Sequence, residues 1–305
     1  MPELPEVETI RRQLAPLVEG RRIERVEVLD PRWPRPLSPG ELEDALRGRR
    51  VESLGRRGKY LLWHLDGDVH LAQHLRMTGS VLAQPDVEPD HTRVRMLLGR
   101  RGKEGKVRLA ITDPRRFGTG ELLLGSDALQ LFLDARLGLE PFDQGFTVDY
   151  LRTVMKGRTA PIKAMLLDQR RIAGVGNIYA DEALWMAMVH PLRAAGSLKR
   201  AQYEALREGA IAALREGIDS GGASIDDFKH IDGVRGSFQE RFLVHLRAGE
   251  PCLRCGTTIR KIVVAGRGTY VCERCQPRPR PRRPKPLKPS AARPGGRPAR
   301  RRAAR

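Results

Sequence analysis

A secondary amine beside a carboxylate, and four thiols at metal-ligand spacing, are the groups in this sequence best equipped for chemistry. The chain opens Met1-Pro-Glu-Leu-Pro-Glu-Val-Glu8. Removal of the initiator, which the small Pro2 permits, would leave a prolyl α-amine followed at once by Glu3. An α-amino group has a reference pKa near ~8, so a useful fraction is nucleophilic at neutral pH, and amines form Schiff bases with carbonyl-like carbons. A prolyl Schiff base is a permanent cation, an electron sink for breaking bonds β to the captured carbon. The same residues also suit an ordinary helix start, because Pro is favoured in the first turn and Glu is stabilised there by the helix dipole. Taken alone, the octapeptide is consistent with both readings.

Near the other end stand Cys252-x2-Cys255 and Cys272-x2-Cys275, separated by sixteen residues. This spacing matches a tetrahedral zinc site of four thiolates. Four cysteines leave no position open for water, so the metal, one Zn²⁺, is expected to be structural. Between the pairs, Thr258 to Val264 and Gly268 to Val271 read as strands around Ala265-Gly-Arg-Gly268. That turn would carry Arg267 at the tip of a hairpin, where it suits a DNA groove or phosphate, or simple solvation.

The elements that must position these groups follow from periodicity. Leu4, Val7, Ile10, Leu14, Leu17 and Val18 recur at helical steps, predicting an amphipathic helix over 3–19 that ends at Gly20. From Arg22 to Leu124 the texture is of short β runs: Ile23 to Leu29, Tyr60 to Leu65, His70 to Leu75, Arg93 to Leu98, Val107 to Ile111 and Glu121 to Leu124. Gly, Pro and Asp punctuate them, as in an antiparallel sandwich or barrel, with Gly99 to Lys106 as a mobile surface hairpin. Leu137 to Gln144 marks a domain boundary. The pattern from Val148 to Ser220 is helical, broken at 157–159, 173–176 and 190–197, and Gly221 to Gly236 is a loop long enough to expect function of it.

Charge narrows the partners. The formal net charge is +19 over 305 residues, and Pro277 to Arg305 holds twelve Lys or Arg and no acid, leaving 44 basic and 37 acidic residues before it. An excess of this kind points to a polyanion, nucleic acid first. No apolar run approaches the ~18 residues of a membrane span, and the acidic start has the wrong sign for a signal peptide, so a soluble intracellular protein is expected, with no membrane partner.

Six motifs occur in a fixed order: the opening octapeptide, Gly58-Lys-Tyr-Leu61, His74-Leu-Arg-Met-Thr-Gly79, Asp113-Pro-Arg-Arg-Phe-Gly118, Gly174-Val-Gly-Asn-Ile-Tyr-Ala-Asp-Glu182 and the four-cysteine hairpin. Over residues 2 to 276 the chain thereby resembles the bacterial formamidopyrimidine-DNA glycosylases. The resemblance implies an α+β multidomain protein. An N-terminal antiparallel β-sandwich with an N-terminal helix (1–136) would be followed by a linker (137–147) and a helix-two-turn-helix DNA-binding domain (148–237) carrying a lesion-capping loop (221–236). A four-cysteine zinc finger (238–276) and a disordered basic tail (277–305) would complete it.

The activity implied is that of a bifunctional glycosylase and AP lyase of base excision repair, acting as a monomer on double-stranded DNA in the bacterial cytoplasm. It would remove oxidised purines, chiefly 8-oxoguanine opposite cytosine and formamidopyrimidines, and cut the strand at the abasic site by β,δ-elimination. By the resemblance, Pro2 is the nucleophile on the sugar C1′ and Glu3 the acid that helps open the deoxyribose ring. Lys59 transfers a proton in β-elimination, and Arg267 binds backbone and serves the later δ-elimination. Such an enzyme must extrude its target nucleotide, and the resemblance makes Met77, Arg115 and Phe117 the residues that fill the void. Asn177 and Lys163 would grip the backbone, with His74, His91 and Arg158 as further DNA contacts.

Read without the family, Lys59 is an edge-strand charge, Asp113 to Gly118 is a turn displaying an aromatic and two cations, and Asn177 caps a helix whose amides face an anion. One departure stands out: Asp226 lies in the capping loop where the family usually has Arg or Lys, so lesion preference does not transfer with the rest. The related endonuclease VIII group uses the same Pro-Glu chemistry on oxidised pyrimidines, but usually has Gly at the place of Leu4 and lacks the full Asp-Pro-Arg-Arg-Phe pattern. A zinc-containing DNA-binding protein without enzymatic activity is the other alternative. Each phosphate neutralised releases counterions, so deleting residues 277–305 is expected to flatten the dependence of log affinity on log salt while sparing catalysis. An unchanged slope would show the tail to be idle.

Overall fold

The computed structural model describes residues 1–225 and 228–279; Asp226 and most of the basic tail lie outside the described residues. Helix α1 (Leu4–Val18) opens the chain and is followed by eight strands: β1 (Ile23–Val28), β2 (Val51–Arg57), β3 (Tyr60–Leu65), β4 (Val69–His74), β5 (Ser80–Ala83), β6 (Thr92–Leu98), β7 (Val107–Thr112) and β8 (Thr119–Leu124). They form two antiparallel sheets, ordered β1-β6-β7-β5 and β2-β3-β4-β8. The strand expectations hold to within a residue or two at each end.

Two short helices were not anticipated. Helix α2 (Pro39–Leu46) carries its own start signal, a capping box in which the Ser38 amide donates to Glu41 at 2.7 Å and Pro39 opens the first turn. Helix α3 (Ser126–Asp134) packs Leu129, Phe132 and Leu133 on Tyr60, Leu62 and Ala72. The second sheet is therefore covered on both faces, which explains why β3 reads as the unbroken apolar run Tyr60-Leu-Leu-Trp63.

Helices α4 (Val148–Met155), α5 (Ile162–Leu167), α6 (Asn177–Met186) and α7 (Arg200–Asp219) form the second unit, and strands β9 (Arg260–Val264) and β10 (Arg267–Val271) make the cysteine hairpin. Among the described residues no helix is long and apolar enough to cross a membrane.

Helix α1 belongs to both cores. Val7, Ile10, Leu14 and Val18 are buried in the sandwich with Trp33, Leu54 and Trp63, whereas Leu4 is buried among Ile172, Val175, Ile178 and Tyr179 of the helical unit. The loop 221–236 also spans the two units. Its Phe228 and Ile231 enter the sandwich core, and the Ala83 amide donates to the Ile231 carbonyl at 2.8 Å. The turn at 99–106 is fastened rather than loose, because buried Arg21 donates to the carbonyls of Gly99 (2.8 Å) and Gly105 (2.6 Å) and pairs with Glu104.

A buried ion cluster joins α1, β2 and the segment after α3. The Arg56 guanidinium bridges Glu8 (3.1 Å) and both oxygens of Glu140 (2.8 and 2.9 Å), and the Gly58 amide also donates to Glu140. Burial alone would raise the Glu8 pKa, but Arg11, Arg12 and Arg56 outweigh it and hold the carboxyl at about 2, below the ordinary 4.5. A depressed folded-state pKa adds stability above the unfolded value that is lost as pH falls through the folded one. Glu8→Gln is thus expected to be less stable than the parent at neutral pH and to lose less stability between pH 4.5 and about 2. Thermal melts across that window check this, and parallel pH profiles would refute it.

Candidate active site

Glu3 is only 2 % exposed, and its position is fixed by a different element from its own. Its Oε1 accepts the Ile178 amide at the start of α6 (3.0 Å), and the neighbouring Leu4 amide donates to the Gly174 carbonyl at 3.1 Å. The close fit requires glycine: a Cβ at Gly176 would stand 2.2 Å from the Glu3 carboxyl carbon, and one at Gly174, whose φ is +88°, would stand 2.5 Å from Leu4. The second carboxylate oxygen, Oε2, is buried without a partner, and Pro2 is buried beside it. One oxygen is therefore held and the other is unpaired.

The next carboxyl along α1 sets the angle of entry. Glu6 is 1 % exposed and accepts from the Glu3 amide (2.8 Å), the Tyr179 hydroxyl (2.7 Å) and the Ala223 amide (2.8 Å), so it ties α1 to α6 and to the foot of the long loop. Burial, then the nearby Glu3 charge, raises its pKa.

A cleft of about 350 Å³ opens over these groups, lined by Glu3, Lys59, His74, Met77, Asn177 and Arg267 among others. Lys59 is not an edge-strand charge. It sits in the two-residue turn Gly58-Lys59 between β2 and β3, an inner strand, and is 5 % exposed. Burial lowers its pKa, the Glu3 and Glu6 charges oppose this, and the Arg267 guanidinium lowers it further. His74 ends β4, accepts the Arg76 amide on Nδ1 (2.9 Å) and is pushed down to about 3 by burial and by the Arg76 and Lys59 charges. It is neutral at physiological pH, with Nε2 left as a donor.

Met77, Arg115 and Phe117 come from two loops, β4–β5 and β7–β8, that a single carboxylate joins. Asp113, 2 % exposed, accepts the amides of Phe117 (2.8 Å) and Gly118 (2.7 Å) on one oxygen, and the Arg115 amide and Thr78 hydroxyl on the other. The result is an apolar projection in water: Phe117 is 51 % exposed, with the Arg115 guanidinium 4.9 Å from its ring centre. His91 and Arg158 are both exposed and do not line the cleft.

One expected backbone contact requires correction. Lys163 is fully buried, and its ammonium donates to Asp181 (2.6 Å), the Thr269 hydroxyl (2.8 Å) and the Gly268 carbonyl (3.3 Å). No hydrogen of it is left to face a phosphate at the surface. Asn177 is the first residue of α6, not its cap, and its amide donates to the Gly268 carbonyl at 3.1 Å. The anion at this helix start is Glu3 itself. Both side chains hold the hairpin residue that follows Arg267, and Arg267 is consequently presented, exposed, to the cleft.

The four cysteine sulfurs lie within 4.8 Å of one another, with Cys252–Cys275 at 3.9 Å and Cys255–Cys272 at 3.5 Å. Zn–S bonds of ~2.3 Å in a tetrahedron place sulfurs about 3.8 Å apart, so the donor set fits one zinc ion with no open position. The hairpin also packs on α6, where the Arg254 guanidinium lies 4.0 Å over the Trp185 ring.

Family models match in chain order: the formamidopyrimidine-DNA glycosylase N-terminal domain at residues 1–120, its H2TH domain at 137–229, and a zinc finger found in FPG and IleRS at 249–278. The formamidopyrimidine-DNA glycosylase of Roseiflexus sp. is 46 % identical over 281 residues, covering 90 % of this chain and all of that one. This chain belongs to the formamidopyrimidine-DNA glycosylase family. The Bacillus licheniformis member is 42 % identical over 280 residues, covering 90 % of this chain and 99 % of its own. Among solved structures, the Lactococcus lactis Fpg in complex with an abasic site containing DNA superposes with a TM-score of 0.82 at 36 % identity, covering 90 % of this chain and 100 % of that one. The MutM (FPG) protein from Thermus thermophilus gives 0.80 at 41 %, covering 90 % and 98 %.

In this family member, sequence reasoning passed over Glu6, Asp113 and Gly176 as working residues. Glu6 had a signal, since it stands three residues after Glu3 in capping-box spacing. Gly176 had none, because its partner is 173 residues away in the chain. Gly176→Ala is expected to cost ~1–3 kcal/mol as overpacking against Glu3. Gly105→Ala, where a Cβ meets nothing within 4 Å, serves as the control. Denaturant melts giving equal stability for the two variants would show that Glu3 is not clamped there.

Proposed function

We propose that this chain is a bifunctional DNA glycosylase and AP lyase of base excision repair, removing oxidised purines from double-stranded DNA through a Pro2 Schiff base. The observation that carries the reading is the buried Oε2 of Glu3, without a partner and adjacent in sequence to Pro2, in a cleft that Lys59, Arg76 and Arg267 also line. After loss of Met1, the Pro2 nitrogen attacks C1′ of an extruded nucleotide, and the bond to the base breaks with its electrons leaving on the base. As it attacks, the nitrogen gives its proton to the Glu3 carboxylate; the C1′–O4′ bond then opens as the freed nitrogen lone pair forms the iminium, and O4′ takes that proton from Glu3. Positioned proton transfer of this kind contributes ~10²–10⁴ in rate.

The iminium acidifies C2′. A lysine whose pKa is lowered by burial gives up its proton more readily than an exposed one, and Lys59 serves that step, after which the 3′ phosphate leaves in β-elimination. Arg267, beside Lys59, would neutralise charge as the 5′ phosphate leaves in δ-elimination. Met77, Arg115 and Phe117 occupy the space vacated in the duplex; an aromatic ring stacked with a guanidinium suits an exposed orphan base. Water finally hydrolyses the Schiff base and frees Pro2.

Borohydride reduction on a duplex with an abasic site is expected to join protein to DNA covalently, to fail for Pro2→Gly, and to be accompanied by loss of base excision but retained DNA binding in Glu3→Gln. Trapping that persists unchanged in Pro2→Gly would remove the proposed nucleophile. Parallel excision from 8-oxoguanine and thymine-glycol duplexes decides the lesion class, and a strong preference for the pyrimidine would overturn the purine assignment.

A further inference from the structure

A second cavity, about 310 Å³, opens at the junction of the two units. It shares Lys59, His74, Arg76 and Gln169 with the catalytic cleft and adds Tyr60, Arg136 and Arg170 among others. Four of its lining residues are cations and none is a carboxylate. We infer that this cavity is a subsite for one backbone phosphate of the DNA strand being processed, gripped by Arg136 and Arg170 outside the catalytic constellation. The inference rests on the function proposed above.

The two arginines are held in different ways, and both remain available. The Arg136 guanidinium lies 3.9 Å over the Phe132 ring and donates to the Phe132 carbonyl at 3.2 Å, which fixes its plane and leaves further N–H groups outward. Its nearest carboxylate, Glu121, stands at 3.8 Å, beyond hydrogen-bond distance. Arg170 is three-quarters exposed and pairs with Asp168 at 3.0 Å, a carboxylate that also faces Arg171 at 3.3 Å. Exposed pairs of this type contribute only ~0–1 kcal/mol, so exchanging Asp168 for a phosphate costs little. The wall between them is aromatic: Tyr60 meets Phe132 edge-on at 5.4 Å and His74 at 4.7 Å. Such a wall admits the flank of a sugar and leaves hydrogen bonding to the rim.

The chemistry selects a strand phosphate over other anions. A strand whose sugar lies at Pro2 and Glu3 carries a phosphate on either side of that sugar, and this cavity is contiguous with the cleft through four shared residues. Neutral His74 offers a hydrogen bond there without a charge; its pKa is lowered chiefly by burial, and the Arg76 and Lys59 charges that add to this make the potential there positive.

The test compares the full chain with Arg136→Gln/Arg170→Gln in equilibrium binding to an abasic-site duplex across a salt series. Each phosphate contact contributes a slope near ~0.9 in log affinity against log salt, so the variant is expected to bind more weakly at low salt with a slope reduced by about 1. A scan of duplexes carrying one neutral methylphosphonate linkage at a time, on either side of the lesion, then locates the contact. At one position the difference between parent and variant should vanish. Equal slopes, or a difference that persists at every neutralised linkage as diffuse attraction would give, overturns the subsite. Borohydride trapping of the parent on the same duplex separates the two levels: its failure sinks the enzymatic reading, whereas trapping with equal slopes sinks the subsite alone.

Discussion

The structure depends on a carboxylate that reaches across the boundary between two units to end on an amide in the first turn of a helix. Glu3 accepts from Ile178 at 3.0 Å, against a glycine whose missing side chain makes room for it. A helix N-terminus carries unsatisfied N–H groups and a positive dipole end, so a buried anion is stabilised there without a cation in contact. Because one oxygen meets that need, the other remains unpaired, a state that would be costly in an ordinary core and is characteristic of a group kept for chemistry. The placement of Pro2 is inherited from this contact, since Pro2 adjoins Glu3 and the first turn of α1 is packed in the helical core through Leu4.

Charge burial around that point is arranged in pairs and shared acceptors. Glu6 has three donors, Arg56 spans Glu8 and Glu140, and Lys163 is matched with Asp181. Burying such groups costs free energy that is recovered only when every lone pair and proton has a partner, so these clusters specify one relative placement of the units more than they add stability. Lys59 is the exception within the cleft. It lacks a hydrogen-bonded carboxylate among the described residues, and burial lowers its pKa.

The hairpin shows how a structural metal and buried polar contacts cooperate to aim one side chain. The four sulfurs define the base of the hairpin, while Lys163 and Asn177 both donate to the carbonyl of Gly268, immediately after Arg267. The arginine is exposed, but the backbone that bears it is anchored within the helical unit. A sequence shows an arginine at a turn; it does not show that the turn is pinned from behind by a lysine more than a hundred positions earlier.

The sequence by itself determined the period of each main strand and helix, the four-thiolate metal site and, through six ordered motifs, the family. These are local or pairwise-short signals: alternation, helical spacing and Cys-x2-Cys survive in one dimension. Helices α2 and α3 were missed because eight or nine residues give too few turns for a period to stand out, although Ser38-Pro39 marked the first of them. The tertiary structure alone decided how the polar residues are placed. Lys163, Asn177 and Lys59 are all cations or amides suited to phosphate, yet one is fully buried against Asp181, one braces the hairpin and one lies buried in the cleft. Burial, and the contact between Glu3 and Gly176, are properties of distances between residues far apart in the chain, and no local pattern encodes them.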